Sequence, residues 1–322
     1  MPMTPVEAIG VDLGGTKLQL GVLDGDSKIA WESREASTGQ TEDELVEMLI
    51  EEIEEARRAR PGVEAVGLGI PATIDHQRGE AVSAVNLPIA DLPIRDLCSE
   101  RLGLPVFVDN DANVAALAEH RFGSAKGTRD AVMLTIGTGI GGGLILDQEL
   151  YRGSSGAGAE LGHFPIDIDG PRCQGNCPGN GCLETMASGT ALGREARALA
   201  EQRPDSALGR RHAAGEEVDG RAATEAALAG DADAVGLFEL VGRRLGAGLA
   251  GFANIFDPEM IVIGGGVIAA GDLLLEPARR ELRARALPPM NRTPVVAAKL
   301  GPDAGMIGAA EMARLELDRE QA

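Results

Sequence analysis

The sequence predicts an α/β protein built from two lobes. Three observations lead there. Apolar runs of strand length alternate with longer runs of helical periodicity, the pattern of layered α/β folds. Two strand–glycine–strand hairpins stand far apart in the chain, and they superpose: Asp12 to Asp24 covers the same length as Thr135 to Asp147, so Gly14 meets Gly137 and Gly15 meets Thr138. A repeated hairpin suggests an internal duplication. The third observation is that the polar and glycine clusters fall at strand ends, at Asp12, 109–111, 137–143 and 264–266. Ligands of open α/β sheets bind at the carboxyl ends of the strands.

Each element can be justified in order. Residues 6–11 form an apolar strand, a glycine turn follows over 14–17, and 18–23 return as a strand. Thr41 caps a helix reaching residue 60, with acids in its first turn that suit the helix dipole. A strand at 63–70 ends at Pro71, 72–93 reads as irregular, and 94–102 as a helix. A short buried strand at 105–108 stops at the polar cluster 109–113, before a helix at 114–122. Strands at 131–136 and 144–146 flank Gly137-Thr-Gly-Ile-Gly-Gly-Gly143, and 153–181 is a long glycine-rich loop. Helices are expected at 184–201, 221–229, 232–256, 272–286 and 304–317, with strands at 259–263 and 294–298.

The glycine stretch invites a dinucleotide reading, because Gly137, Gly139 and Gly142 fit G-x-G-x-x-G. That fingerprint requires a helix after the glycines. A second apolar run ending at Asp147 follows instead, so the turn reads as a hairpin whose backbone N–H groups approach a phosphate closely. One such hairpin from each lobe suits a nucleotide held between them. Lys17 is one of only four lysines, with Lys28, Lys126 and Lys299, which makes its place in a glycine turn notable.

Composition narrows the classes. The chain has 322 residues, enough for two domains and a large core, and its 44% hydrophobic content is that of a globular protein. A formal net charge of −20 argues against a nucleic-acid partner, which would want a basic face. No apolar run reaches membrane length, and residues 1–5 show no signal-peptide pattern, so a cytoplasmic protein with no membrane partner is expected.

Two clusters carry chemistry. Asp111 lies among Asp109, Asn110 and Asn113, more polar groups than one helix cap needs. A carboxylate there is either a cap or the acceptor of a hydroxyl proton in phosphoryl transfer, and spacing alone leaves both open. Cys173, Cys177 and Cys182 follow His163, and three thiolates with one imidazole make a tetrahedral zinc site. Cys98 stands apart and reads as an inert buried thiol.

Six motifs occur in order: Asp12-x-Gly-Gly-Thr-Lys17, Asn110-Asp-Ala-Asn113, Thr135-x-Gly-Thr-Gly-x-Gly-Gly-Gly143, Glu160-Leu-Gly-His163, Gly181-Cys-Leu-Glu184 after the cysteine loop, and Gly264-Gly-Gly266. Together they resemble the ROK family of sugar kinases and repressors, most of all its bacterial ATP-dependent glucokinases. The resemblance spans essentially the whole chain. It implies the two-lobed actin-like, ribonuclease-H-like sugar kinase fold, with a hexose such as glucose meeting ATP in the cleft. It also turns the open reading of Asp111 into the catalytic base.

Carried over by residue, the resemblance implies that Asp12 helps hold Mg²⁺ and that Gly14, Gly15, Thr16 and Lys17 line the first phosphate turn. Thr138 and Gly139 would cradle phosphates from the other side, and Gly265 and Gly266 would pack against adenosine. Asn110, Asp111, Glu160, His163 and Glu184 would bind the sugar, with Asn86 as a further contact. Structural Zn²⁺ would be held by His163, Cys173, Cys177 and Cys182, with the second ring nitrogen of His163 turned toward sugar. The small lobe is expected over 1–117 with 302–322, and the large lobe, carrying the zinc loop, over 118–301. A homodimer or homotetramer is expected. Three residues separate Cys173 from Cys177 where the family commonly has one, while Ala72 and Ala159 stand where it often has glycine. The repressor branch carries an N-terminal helix-turn-helix, and this chain opens directly on its first strand.

Overall fold

A computed structural model describes residues 6–175 and 177–322. Residues 1–5, read above for a signal peptide, lie outside the described residues. Strand β1 (Glu7–Leu13) turns antiparallel into β2 (Lys17–Leu23), and β2 into β3 (Ile29–Ala36). Helix α1 (Glu42–Ala59) opens on a complete capping box: Thr41 accepts from the Glu44 N–H while the Glu44 carboxylate accepts from the Thr41 N–H. Then come β4 (Val63–Ile70), the small strands β5 (Ala72–Asp75), β6 (Glu80–Ala84) and β7 (Ala90–Leu92), helix α2 (Ile94–Leu102), β8 (Val106–Asn110) and α3 (Asp111–Arg121).

The second half repeats the plan. Strands β9 (Ala131–Ile136), β10 (Ile140–Leu146) and β11 (Glu149–Leu150) form an antiparallel meander. Helices α4 (Leu183–Ala187), α5 (Gly189–Gln202), α6 (Ala207–Ala213), α7 (Gly220–Leu228) and α8 (Ala232–Phe256) lead to β12 (Met260–Gly264). Helix α9 (Asp272–Arg285), β13 (Val295–Ala297) and α10 (Ala304–Glu320) finish the chain.

The two five-stranded sheets have the same order and the same directions. One runs β3-β2-β1-β4-β8 and the other β11-β10-β9-β12-β13, each with an antiparallel meander joined to two parallel strands. This bears out the duplication suggested by the hairpins, with one adjustment. Leu13 pairs Leu18 across the first turn, whereas Ile136 pairs Ile140 across the second, so the second turn is one residue shorter and the return strands are offset by one. Separate apolar cores back the sheets, one built on Ile9, Val11, Leu20, Val66 and Leu68, the other on Val132, Leu134, Phe238, Leu245 and Ile263. Helix α10 packs on β1, β4 and α3, and α3 also packs on β9 and β10. The helix that begins at Asp111 therefore touches both sheets.

Several expectations need correction. Residues 72–93 are not irregular but carry the three-stranded sheet β5-β6-β7; its strands are too short for periodicity to reveal. The helix expected over 184–201 is two helices, because Ser188 has an extended backbone and caps α5 through its hydroxyl. The strand at 105–108 continues to Asn110, and helix α3 starts at Asp111. Of the glycines at 137–143, only Gly137 and Gly139 lie in the turn; Gly141, Gly142 and Gly143 belong to β10. A Cβ at Gly143 would lie 2.5 Å from Ala116 Cβ and one at Gly141 2.8 Å from Ala112 Cβ, so these two glycines admit helix α3. A Cβ at Gly142 would lie 2.5 Å from Ala159 O, so that glycine admits the segment before Glu160. Strands β3 and β11 and helix α6 went unread.

Candidate active site

The site is assembled from strand ends. Asp12 sits near the end of β1, opposite Gly69 of β4, and Gly69 in turn pairs Asp109 of β8. Asn110, the last residue of β8, caps α3: its side-chain oxygen accepts from the N–H groups of Ala112 (2.9 Å) and Asn113 (3.3 Å). Asp111 is the first helical residue, and its Oδ1 accepts from Ala112 N–H at 2.9 Å. The cap is thus Asn110, leaving the second oxygen of Asp111 without that duty.

The carboxyls form a chain of mutual repulsion. Asp12 is raised to about 7, first by burial, then by the charge of Asp111, while Lys17 pulls it down. Burial raises Asp111, the charge of Glu160 raises it further, and the hydrogen bond from Ala112 opposes both. Glu160 is raised by burial and by Glu184, with His163 opposing. Four acids thus run from the first glycine turn to the cysteine loop, each within electrostatic reach of the next. The raised carboxyls of Asp12, Asp111 and Glu160, clustered in this way, mark functional sites more often than structural ones.

The two turns face this row. Gly14 N–H closes the first turn on Lys17 O at 2.7 Å, and Lys17 is exposed. A Cβ at Gly15 would lie 3.1 Å from Asn86 Cβ, which places the exposed Asn86 against the turn. In the second turn, Gly137 O accepts from Gly189 N–H (2.8 Å), and Thr138 O accepts from Thr190 Oγ1 (2.8 Å). Glu184 reaches it from α4, accepting from Ile140 N–H at 2.8 Å; a Cβ at Gly139 would lie 2.1 Å from Glu184 Oε2.

Beside the second turn is a cavity of about 610 Å³, lined by Gly137, Thr138, Gly189, Thr190, Arg197, Asp219, Arg221, Thr224, Gly266 and Val267. Thr138 and Gly266 were expected there. Gly265 is not a lining residue: its φ of +85° and the 2.4 Å from a Cβ to Ile136 O show a backbone that only glycine takes. Sequence reasoning missed Thr190, Arg197, Asp219, Arg221 and Thr224. Thr190 and Arg197 sit on α5, Arg221 and Thr224 on α7, and Asp219 caps α7; neither helix follows one of the glycine turns, and one arginine among many carries no local signal.

Cys173, Cys177, Cys182 and His163 converge, with one ligand atom from each lying within 4.8 Å of all the others. Cys173 Sγ lies 3.4 Å from His163 Nδ1, and Cys177 Sγ 3.9 Å from Cys182 Sγ. His163 Nε2 points away, 3.9 Å from Glu160 Oε2. Cys173 N–H donates to Gly179 O at 2.9 Å and Arg172 forms an antiparallel bridge with Asn180, which brings Cys173 alongside the segment leading to Cys182.

Comparison with known proteins places this architecture. The chain matches the ROK family over residues 8–316. It is 39% identical over 312 residues to a glucokinase of Streptomyces coelicolor, covering 95% of this chain and 97% of that one. Among solved structures it resembles a ROK family glucokinase from Streptomyces griseus in complex with glucose and AMPPNP (TM-score 0.85, 39% identity, 96% and 99% of the two chains). It also resembles a ROK hexokinase from Thermus thermophilus (TM-score 0.79, 38% identity, 97% and 99% covered). The chain belongs to the ROK family. Its fold is the two-lobed actin-like sugar kinase fold.

Proposed function

We propose that this chain is a glucokinase, transferring the γ-phosphoryl group of ATP to the 6-hydroxyl of glucose. The observation that carries the reading is the row of acids from Asp12 through Asp111 and Glu160 to Glu184, set between two glycine turns at corresponding strand ends of duplicated sheets. Similarity to glucokinases over nearly the whole chain supports it.

In this reading Asn110, Asp111, Glu160, His163, Glu184 and Asn86 hold the sugar. Asp111 accepts the 6-hydroxyl proton on its carboxylate as the oxygen attacks phosphorus, and Asn110 fixes the helix turn from which it does so. Gly14, Gly15, Thr16 and Lys17 hold the phosphates on one side, and Thr138 and Gly139 on the other. Adenosine lies in the cavity over Gly266, with Gly265 setting the backbone path beneath it.

The residues also fit two metals. A carboxyl driven to about 7 by burial and a neighbouring acid, with one lysine to oppose them, is a place of negative charge that a cation relieves. Asp12 would hold Mg²⁺, which when bound offsets phosphate charge. Zinc–sulfur bonds of about 2.3 Å put tetrahedral ligands about 3.8 Å apart. The 3.9 Å between Cys177 and Cys182 and the 3.4 Å from Cys173 to the shorter-bonding imidazole suit that shell. Zn²⁺ held by these four would be structural, fixing the loop between Glu160 and Glu184.

We place the small lobe at 1–117 with 302–322 and the large lobe at 118–301, in a cytoplasmic homodimer or homotetramer. Among the described residues no helix is long and apolar enough to cross a membrane. A coupled assay with ATP and a panel of hexoses tests the function. Glucose should turn over fastest, at a kcat on the order of 1–100 s⁻¹. Faster use of fructose, N-acetylglucosamine or N-acetylmannosamine would reassign the substrate, and sugar binding without turnover would make the chain a sensor.

A further inference from the structure

Asp109 is wholly buried, yet it is a carboxylate one residue short of the proposed sugar cluster. Both of its oxygens are engaged. Oδ1 accepts from Asn110 N–H and from Asn113 Nδ2, both at 2.8 Å. Oδ2 accepts from Arg152 Nε at 2.6 Å. The two donors on Oδ1 flank Asp111, one immediately before it and one in the same helical turn. The carboxylate therefore clamps the turn that presents Asp111.

The cation that balances this charge comes from the other sheet. Arg152 follows β11, the edge strand of the second sheet, and its side chain is only 14% exposed. The same guanidinium reaches Glu316 of α10 at 3.3 Å. Arg319 of α10 pairs with Glu316 at 2.9 Å and also with Glu149 of β11. The charges thus cross twice between the second sheet and the elements that pack on the first. A planar guanidinium, with donors in a fixed fork, holds two carboxylates at a set angle better than an ammonium does.

We propose that Arg152 is a positioning residue for phosphoryl transfer, acting through Asp109 to set Asp111 against the Gly137–Gly139 turn of the second sheet. The proposal rests on the kinase reading. Its logic is distance. Asp111 starts a helix attached to the first sheet, the second phosphate turn belongs to the second, and Arg152 joins the two beside the base. Misplacement of a reacting group by about 1 Å lowers rates on the order of 10²-fold.

Steady-state kinetics with glucose and ATP, beside thermal melting, test this on four proteins: wild type, Arg152→Lys, Arg152→Met, and the double variant Arg152→Met/Asp109→Asn. Arg152→Met should lose about 10-fold or more in kcat with glucose KM changed less than about 3-fold. Arg152→Lys should recover part of that loss, since it restores the charge without the fork. The double variant buries no lone charge, so it should melt higher than Arg152→Met while kcat stays low; it also carries the test if Arg152→Met does not fold. Recovery of wild-type kcat in the double variant would make Arg152 a purely structural residue and overturn the proposal. A wild type that phosphorylates no sugar would overturn the kinase reading and this proposal with it.

Discussion

Asn110 caps the helix whose first residue is Asp111. Its side-chain oxygen takes the N–H groups of Ala112 and Asn113, so the capping duty and the acid fall on adjacent residues. A lone acid at a helix start is ordinarily a cap. With the cap supplied by Asn110, the raised carboxyl of Asp111 is open to chemistry. Asn110→Ala should therefore cost about 1 kcal/mol in stability, measured by denaturant unfolding, as well as weakening sugar binding.

Asp111 has to be ionised to accept a proton. Burial and Glu160 hold its carboxyl above the ordinary value of 3.8, so activity should fall on the acid side at a pH higher than a free carboxylate would give. The sign of one substitution follows. Glu160→Gln removes a negative charge that raises Asp111, so the acid limb of kcat should move to lower pH. A pH–rate profile at saturating glucose and MgATP checks this, and a limb that stays or moves upward contradicts it.

Gly266 offers a substitution the fold will not feel. A Cβ there meets nothing within 4 Å, and the residue lines the cavity assigned to adenosine. Gly266→Ala should leave the melting temperature nearly unchanged and raise KM for ATP about 10-fold or more, the usual cost of one extra methyl in a filled pocket. An unchanged KM for ATP would put the nucleotide elsewhere.

The proposed zinc shell is made wholly of protein groups, which marks structural rather than catalytic zinc. Elemental analysis of protein purified without chelator should give about one zinc per chain. Cys177→Ala should lose the ion and raise glucose KM more than it lowers kcat, because Glu160, His163 and Glu184 flank the loop that loosens. Zinc-free wild-type protein would remove the site.

Ala159 carries a φ of +64°, in the left-handed region, immediately before Glu160. A side chain pays roughly 1–2 kcal/mol there, while glycine gives up roughly 0.5–1 kcal/mol of chain entropy. Ala159→Gly should thus stabilise by up to about 1 kcal/mol, seen as a higher melting temperature. A lower one would show that Ala159 is unstrained.

The sequence carried the first hairpin, helix α1 with its cap, the strand β4 and the long helix α8 to within a residue or two, because their apolar periods are long and their ends chemically marked. The return strand of the second hairpin starts four residues earlier than its apolar run, because glycines 141–143 follow its first residue. It did not carry β5, β6 and β7, whose runs are too short to have a period. It did not show that Ser188 divides α4 from α5, since a serine cap inside a helical pattern looks like an ordinary polar position. The glycines of 137–143 were visible, but their two functions were not: a turn at Gly137 and Gly139, and a helix contact at Gly143. The glycine turns, the acid cluster and the cysteine loop announced themselves as motifs. Arg197, Asp219 and Arg152 did not, because what brings each to the site is tertiary packing.

The kinetic constant that bears most directly on the whole account is kcat of Asp111→Asn for glucose phosphorylation by MgATP, beside wild type. The isosteric amide keeps the helix start and the sugar contacts but cannot take a proton. The account predicts a fall in kcat of at least ~10²-fold, with glucose KM within a few-fold of wild type. Turnover near the wild-type rate would contradict it, leaving Asp111 a structural residue at the start of α3.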